Sequence, residues 1–206
     1  MVFINYIKIE ELQSKKQTIA EYLAMEKIAT EKHEYNNGEI VAMPGGTINH
    51  GRIIVNFSQQ LSNILDSKEL PCENIGNEIK VWIDQWNSFV YPDGMMICDE
   101  IETCDEDQHA VVNTVLIVEV LSKSTEGYDR GKKFQKYRSI PSFKEYILIS
   151  QDKPIVEVYH RTDETTWSMV TTLGLDKSFF VHTLNAEIDM QKIYQRIKDL
   201  KGITEE

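Results

Sequence analysis

The stretch LIVEVLS, Leu116 to Ser122, is an apolar run with a single carboxylate, Glu119, at its centre. A glutamate is almost never fully buried without a partner, so Glu119 either sits on a wet face or meets a positive charge. The Val and Ile content reads as part of a strand from Val111 to Leu121, on which Glu119 shares a face with Ile117 and Leu121. A second carboxylate has the same setting. In YPDGMMICDE, Asp93 shares a strand face with Met95 and Ile97, within a strand read from Ser88 to Cys98. Bland readings stand beside these: a Pro-Asp turn entering a strand for Asp93, and an edge-strand charge or buried ion pair for Glu119.

If the two strands pair, both carboxylates converge at one end of a sheet. A hard divalent cation such as Mg²⁺ takes a couple of carboxylates plus waters and substrate phosphates. A cation can face them from the next element, a helix read from about Thr125 to Ser139 and stopped by Ile140-Pro141. On it Arg130, Lys133 and Tyr137 are spaced i, i+3, i+7 and share a face, with Phe134 beside them to anchor the helix on the sheet. Metal, carboxylate pair and lysine together suit phosphodiester hydrolysis by an activated water.

Outward from this centre, Thr18 to about Met25 reads as a short helix, and HEYNNGEIVAM as a hairpin about Asn36-Asn37-Gly38. Thr47 caps the longest helix, whose apolar stripe is Ile53, Ile54, Phe57, Leu61, Ile64 and Leu65. Further strands are read at Glu78 to Asp84, Glu145 to Ile149, Ile155 to His160 and Trp167 to Thr172, with a last helix from about Asp189 to Leu200. Helices and strands alternate, with hairpins included, so the expected fold is α/β: a mixed sheet flanked by helices. With 206 residues, 41% hydrophobic content, no repeat and no Pro/Gly-rich linker, the chain reads as one domain.

The net charge of -11 is awkward for nucleic-acid binding, which needs Lys and Arg on the contacting face. Acid crowds CDEIETCDEDQ, which reads as a solvated loop, whereas RGKKFQKYR holds Arg130, Lys132, Lys133, Lys136 and Arg138 with no acid among them. That helix can take a phosphate backbone at one place, or be a solvated face. No helix-turn-helix signature, zinc finger or basic zipper is present. Three cysteines, Cys72, Cys98 and Cys104, are odd in number and match no paired ligand spacing, which argues against a disulfide framework and a zinc site. The opening MVFINYIKIEEL turns charged by Lys8 and no apolar run approaches bilayer length, so the expectation is a soluble, unprocessed, cytoplasmic chain with no membrane contact.

The order GEIVAMPGGTINH, YPD, LIVEVLSKST, YDRGKKFQKY, IPSFKEYILI and IVEVYHR resembles the Uma-two family of "putative restriction endonucleases", within the PD-(D/E)XK nuclease superfamily. The resemblance runs from about residue 18 to about residue 190. It implies a restriction-endonuclease-like core, often homodimeric, and Mg²⁺-dependent cleavage of DNA, with Mn²⁺ as a substitute ion. By resemblance the superfamily aspartate falls on Asp93 and its acidic partner on Glu119, both metal ligands. The superfamily lysine stands two places after the acid, where this chain has Leu121. In the Uma-two pattern a helix lysine takes its place, which corresponds to Lys133. Lys123, four residues beyond Glu119, competes if the strand lasts that far.

Arg130, Lys132 and Lys136 are then the candidate nucleic-acid contacts, and Tyr137 an accessory. His50 and Glu39 also match family positions, with a helix-start cover and an exposed hairpin charge as their plainer readings. Besides the nuclease, two other classes stand: a catalytically silent homodimeric module whose carboxylates are structural, and an acidic protein competing with nucleic acid for a basic partner. Whether the DNA is duplex, single-stranded or branched is not written in these motifs.

Overall fold

The computed structural model describes residues 16–203; the opening segment, read above as free of a leader, lies outside them. Thr18 opens helix α1 (Ile19–Glu26) with a reciprocal cap, its Oγ1 accepting the Glu21 amide while the Glu21 carboxylate accepts the Thr18 amide. The hairpin of β1 (His33–Asn36) and β2 (Glu39–Ala42) turns on Asn37 and Gly38, both left-handed at φ 48° and 97°, which Asn and Gly tolerate. Thr47 caps α2 (Ile48–Lys68) by accepting the His50 amide, and Ile53, Phe57, Leu61 and Leu65 bury its apolar stripe.

Seven strands follow: β3 (Cys72–Gly76), β4 (Lys80–Ile83), β5 (Ser88–Val90), β6 (Gly94–Cys98), β7 (Thr103–Cys104), β8 (Asp107–Val111) and β9 (Leu116–Leu121). Helix α3 spans 126–137 and carries a π-helical turn at Asp129–Lys133. The chain continues through β10 (Glu145–Ser150), β11 (Ile155–Arg161), β12 (Trp167–Leu173), β13 (Ser178–Val181) and β14 (Ala186–Asp189) to a one-turn helix α4 (Met190–Ile193).

Two mixed six-stranded sheets result. The first runs β12-β11-β10-β9-β6-β3, with β9 and β10 parallel and β6 antiparallel to β9; the second runs β2-β1-β5-β4-β8-β7. The expected mixed sheet flanked by helices is therefore present, doubled. All six residues of β9 are buried, and they alternate between two cores. Leu116, Val118 and Val120 pack with Ile53, Phe57 and Leu61 of α2, while Ile117 and Leu121 join Tyr137, Phe143 and Tyr146 under α3. Glu119 belongs to the second face, as its spacing requires.

Phe134 anchors α3 by stacking on Tyr146, 5.2 Å between centroids, with the edge of Trp167 against it. Beyond the last turn, Arg161 donates to the carbonyls of Arg138, Ile140 and Pro141, capping chain ends that Pro141 leaves open.

The structure corrects several expectations. The strand read over Ser88 to Cys98 is two strands in different sheets, because Tyr91-Pro92-Asp93 leaves one ladder before entering the next. The strand read over Val111 to Leu121 divides likewise, and the acidic segment is no plain loop, since it supplies β7 and the start of β8. Cys72 and Cys98 are joined in a disulfide, against the expectation of none; β3 went unread, and only its pairing with β6 shows the two cysteines opposed. Cys104 is free and buried. The last helix is one turn long, preceded by the unforeseen hairpin β13–β14. Among the described residues no helix is long and apolar enough to cross a membrane.

Candidate functional site

Gly94 of β6 lies opposite Val118 of β9, so Asp93, one residue before the ladder, reaches the level of Glu119. Each acid is fixed by the other's backbone: Asp93 Oδ2 accepts the Val120 amide at 2.7 Å, and Glu119 Oε2 accepts the Asp93 amide at 3.3 Å. Lys133 enters from α3 with Nζ 2.8 Å from Glu119 Oε1, and also donates to the Tyr91 carbonyl at 3.0 Å. The Tyr137 hydroxyl donates to the same Oε1 at 3.0 Å. The positive partner that the apolar flanks of Glu119 demanded is thus Lys133.

Two further acids join Lys133. Glu34 Oε1 lies 3.6 Å from Nζ and Asp129 Oδ1 3.7 Å, so three carboxylates surround one ammonium, all with side chains at most 10% exposed. Burial works against the charge on Lys133, but Glu119, Glu34, Asp129 and Asp93 together hold its pKa well above the ordinary lysine value. Burial drives the Glu119 carboxyl well above the usual range, with Lys133 opposing; Asp129 is raised for the same reasons. The cluster thus gathers more carboxyl groups than its one lysine can pair, and burial pushes Glu119 and Asp129 toward their neutral forms.

His50, in the first turn of α2, places Nε2 3.1 Å from Asp93 Oδ2. Burial would push its imidazole down, yet the Asp93 carboxylate holds it above the ordinary histidine value. The Gly45-Gly46 break makes this approach possible, because a Cβ on Gly46 would lie 2.9 Å from His50 Nδ1. These groups line a cleft of ≈ 630 Å³, walled by the segment 41–47 on one side and 122–125 on the other.

Asp93, Glu119, Lys133, Tyr137 and His50 are thus brought together. Lys123 lies two residues past the end of β9, exposed, where it lines the cleft from the loop and not from the strand. Glu39 is exposed beside the hairpin turn and outside the cleft, whereas Glu34 of the same hairpin is buried and lines it. Arg130 does not share the face of Lys133 and Tyr137. The π turn widens the helix at that point, and Arg130 pairs instead with Glu157 of β11. Lys136 is 2% exposed and donates to the Tyr128 hydroxyl at 3.3 Å, with burial pushing its pKa down. Of the three basic residues read as phosphate contacts, Lys132 alone is both exposed and without an ion pair among the described residues.

Sequence reasoning missed Glu34 and Asp129. Asp129 left a signal, standing four residues before Lys133 on one helix face. Glu34 left none, since its partners come from β5's exit and from α3.

No group of three or more His, Cys, Asp or Glu side chains among the described residues is arranged to hold a metal by itself. The donor set that exists is the carboxylate pair: among the described residues Asp93 Oδ1 accepts no hydrogen bond, and 16% of that side chain is exposed. Asp93, with room beside it for water and phosphate, suits the partly hydrated habit of Mg²⁺, whereas both oxygens of the buried Glu119 already hold Lys133, Tyr137 and the Asp93 amide, contacts an ion would have to share or displace.

A mixed central sheet carrying two acids at the level where neighbouring strands diverge, with helices on its faces, defines a restriction-endonuclease-like fold. The family model Uma2, described as "Putative restriction endonuclease", matches residues 19–191, and the chain belongs to that family. The chain is 40% identical over 157 residues to the uncharacterized protein sll1609 of Synechocystis sp. (strain ATCC 27184 / PCC 6803 / Kazusa), covering 76% of this chain and 88% of that protein. It is 36% identical over 157 residues to slr1290, also uncharacterized and from the same strain, covering 76% and 80%. Among solved structures, a "putative nuclease belonging to DUF820" from Anabaena variabilis ATCC 29413 superposes with a TM-score of 0.66 at 14% identity, covering 86% of this chain and 97% of that one.

Proposed function

We propose that this chain is a divalent-cation-dependent endonuclease that hydrolyses DNA phosphodiester bonds with a water nucleophile. The observation that carries the reading is the opposition of Asp93 and Glu119 across β6 and β9, with Lys133 Nζ 2.8 Å from the second acid. Asp93 and Glu119 would hold the ion, Mg²⁺ or Mn²⁺, which supplies Lewis acidity toward a phosphoryl oxygen and a lowered pKa for bound water.

The rest is the work of the chain's own side chains. His50 and the Val120 amide both hold Asp93 Oδ2 and so fix that side chain at the cleft wall, leaving Oδ1 for the ion. Lys133, kept charged by the surrounding acids, offers an ammonium beside Glu119 to hold water or to stabilise charge that develops on phosphate. Its burial keeps bulk water from screening that charge. Lys132 and Lys123 stand outside as phosphate contacts, few enough that the ion itself has to supply much of the attraction for DNA.

The test is cleavage of single-stranded, duplex and branched DNA with Mn²⁺ by wild type and by Glu119→Ala. Wild type should cleave at least one of them, and the variant should lose that activity while keeping its cooperative melt. Equal cleavage by both removes Glu119, and with it this reading.

A further inference from the structure

Glu34 belongs to β1, in the second sheet, yet both its oxygens are spent on the site of the first. Oε1 accepts the Tyr91 amide at 3.2 Å and lies 3.6 Å from Lys133 Nζ; Oε2 accepts the Tyr128 hydroxyl at 2.8 Å. Tyr91 stands two residues before Asp93, and its carbonyl is itself a Lys133 acceptor at 3.0 Å. Tyr128 precedes Asp129 in α3, and its hydroxyl takes a second bond from Lys136 at 3.3 Å. One carboxylate, 7% exposed, therefore ties the chain segment leading to Asp93 to the helix that carries Lys133.

We propose that Glu34 is a positioning residue, which holds the Lys133 ammonium and the Tyr91-Pro92-Asp93 segment in register with Glu119. The proposal rests on the nuclease reading above and assigns the second sheet a part in it. Glu34 lines the same cleft and acts through its contacts with Lys133 and the Tyr91 amide. It acts by giving Lys133 a second counter-charge besides Glu119, so the ammonium is shared between acids and not left to Glu119 alone. It also satisfies a buried amide, Tyr91 N–H, that would otherwise free the approach to Asp93.

Glu34→Gln removes the charge with the least change of shape. The decisive readout is the side-chain ammonium signal of Lys133 in nitrogen-labelled protein, assigned by its loss in Lys133→Arg, together with the Asp93 and Val120 backbone amides. Tyr22→Phe is the control, because it deletes a hydroxyl that bonds the His33 carbonyl in the same strand and meets the Tyr91 side chain, while the Glu34 contacts to Lys133 and to the Tyr91 amide stay in place.

Glu34→Gln should shift the Lys133 signal and both amides and slow Mn²⁺-dependent cleavage by roughly 10- to 100-fold, with KM little changed. Tyr22→Phe should do neither. Tyr128→Phe, which removes only the donor to Oε2, should move the same signals less and serves if Glu34→Gln does not fold. Unmoved signals in Glu34→Gln overturn the proposal, as do equal movements in Tyr22→Phe or moved signals with an unchanged cleavage rate. The spectra need neither ion nor substrate, so this failure is separate from that of the nuclease reading, which a wild type unable to cleave any DNA would mark.

Discussion

Asp93 and Glu119 hold each other in place through the backbone: the Val120 amide, one residue beyond Glu119, donates to Asp93 at 2.7 Å, and the Asp93 amide donates to Glu119 at 3.3 Å. The pair is thus a property of the β6–β9 register, and no rotamer change in one acid leaves the other unaffected. Two carboxylates so close disfavour a common negative charge unless a cation shares them. Lys133 supplies one positive charge, and the acids around it outnumber that charge.

Removing the lysine should therefore be costly. In Lys133→Met, Glu119, Glu34 and Asp129 lose their common counter-ion, and breaking a buried pair in this way costs about 3–5 kcal/mol. Urea unfolding should show a loss of that order, partly restored by millimolar Mg²⁺. A variant as stable as wild type would mean that the acids are protonated in the native fold.

The Cys72–Cys98 bond spans 26 positions and joins edge strand β3 to β6. Loop-closure entropy for that span corresponds to about 3 kcal/mol. The double variant Cys72→Ser, Cys98→Ser should lower the urea-unfolding free energy by that order, and reductant should do the same to wild type but not to the variant. Indifference of the wild type to reductant would contradict the bond's contribution.

His160 gives the fold an acid-sensitive limb. It stacks on His182 with 4.1 Å between centroids, its Nδ1 has no hydrogen-bond partner among the described residues, and burial followed by the neighbouring imidazole pushes its pKa below 6.5, with Glu145 opposing. A folded pKa below the unfolded one means that folding favours the neutral ring. This contribution is complete above about pH 6.5 and is lost as pH falls from there through the folded value. In His160→Phe, which keeps a stacking ring, the melting midpoint should decline less over that window than in wild type. Parallel declines would contradict it.

Much of the centre was legible in sequence because burial leaves a signature when it traps a charge. Glu119 between Val118 and Val120, Asp93 ahead of Met95 and Ile97, and Lys133 one residue from the anchoring Phe134 could each be read from neighbours in the chain. What stayed hidden depends on contacts between distant segments. Glu34 looks like any hairpin charge until Tyr91 and Tyr128 arrive beside it, whereas the plainer reading of Glu39 as an exposed hairpin charge agrees with its register opposite Asn36 at the turn. Lys136 looked like a phosphate contact because its neighbours are basic, whereas its burial under Tyr128 is decided by the π turn, a feature no periodicity announces. The disulfide was invisible for the same reason as β3, since the pairing of Cys72 with Cys98 exists only once the edge strand is placed.

A divalent ion held by Asp93 and Glu119, as proposed, is detectable by calorimetric titration of Mn²⁺ into wild type and Asp93→Ala. The variant serves to subtract ions held diffusely by the acidic segment around Asp105. A stoichiometric binding event in wild type that is absent from Asp93→Ala is the predicted result. Identical, featureless titrations of the two proteins would contradict it and leave the carboxylates as fastenings of the fold.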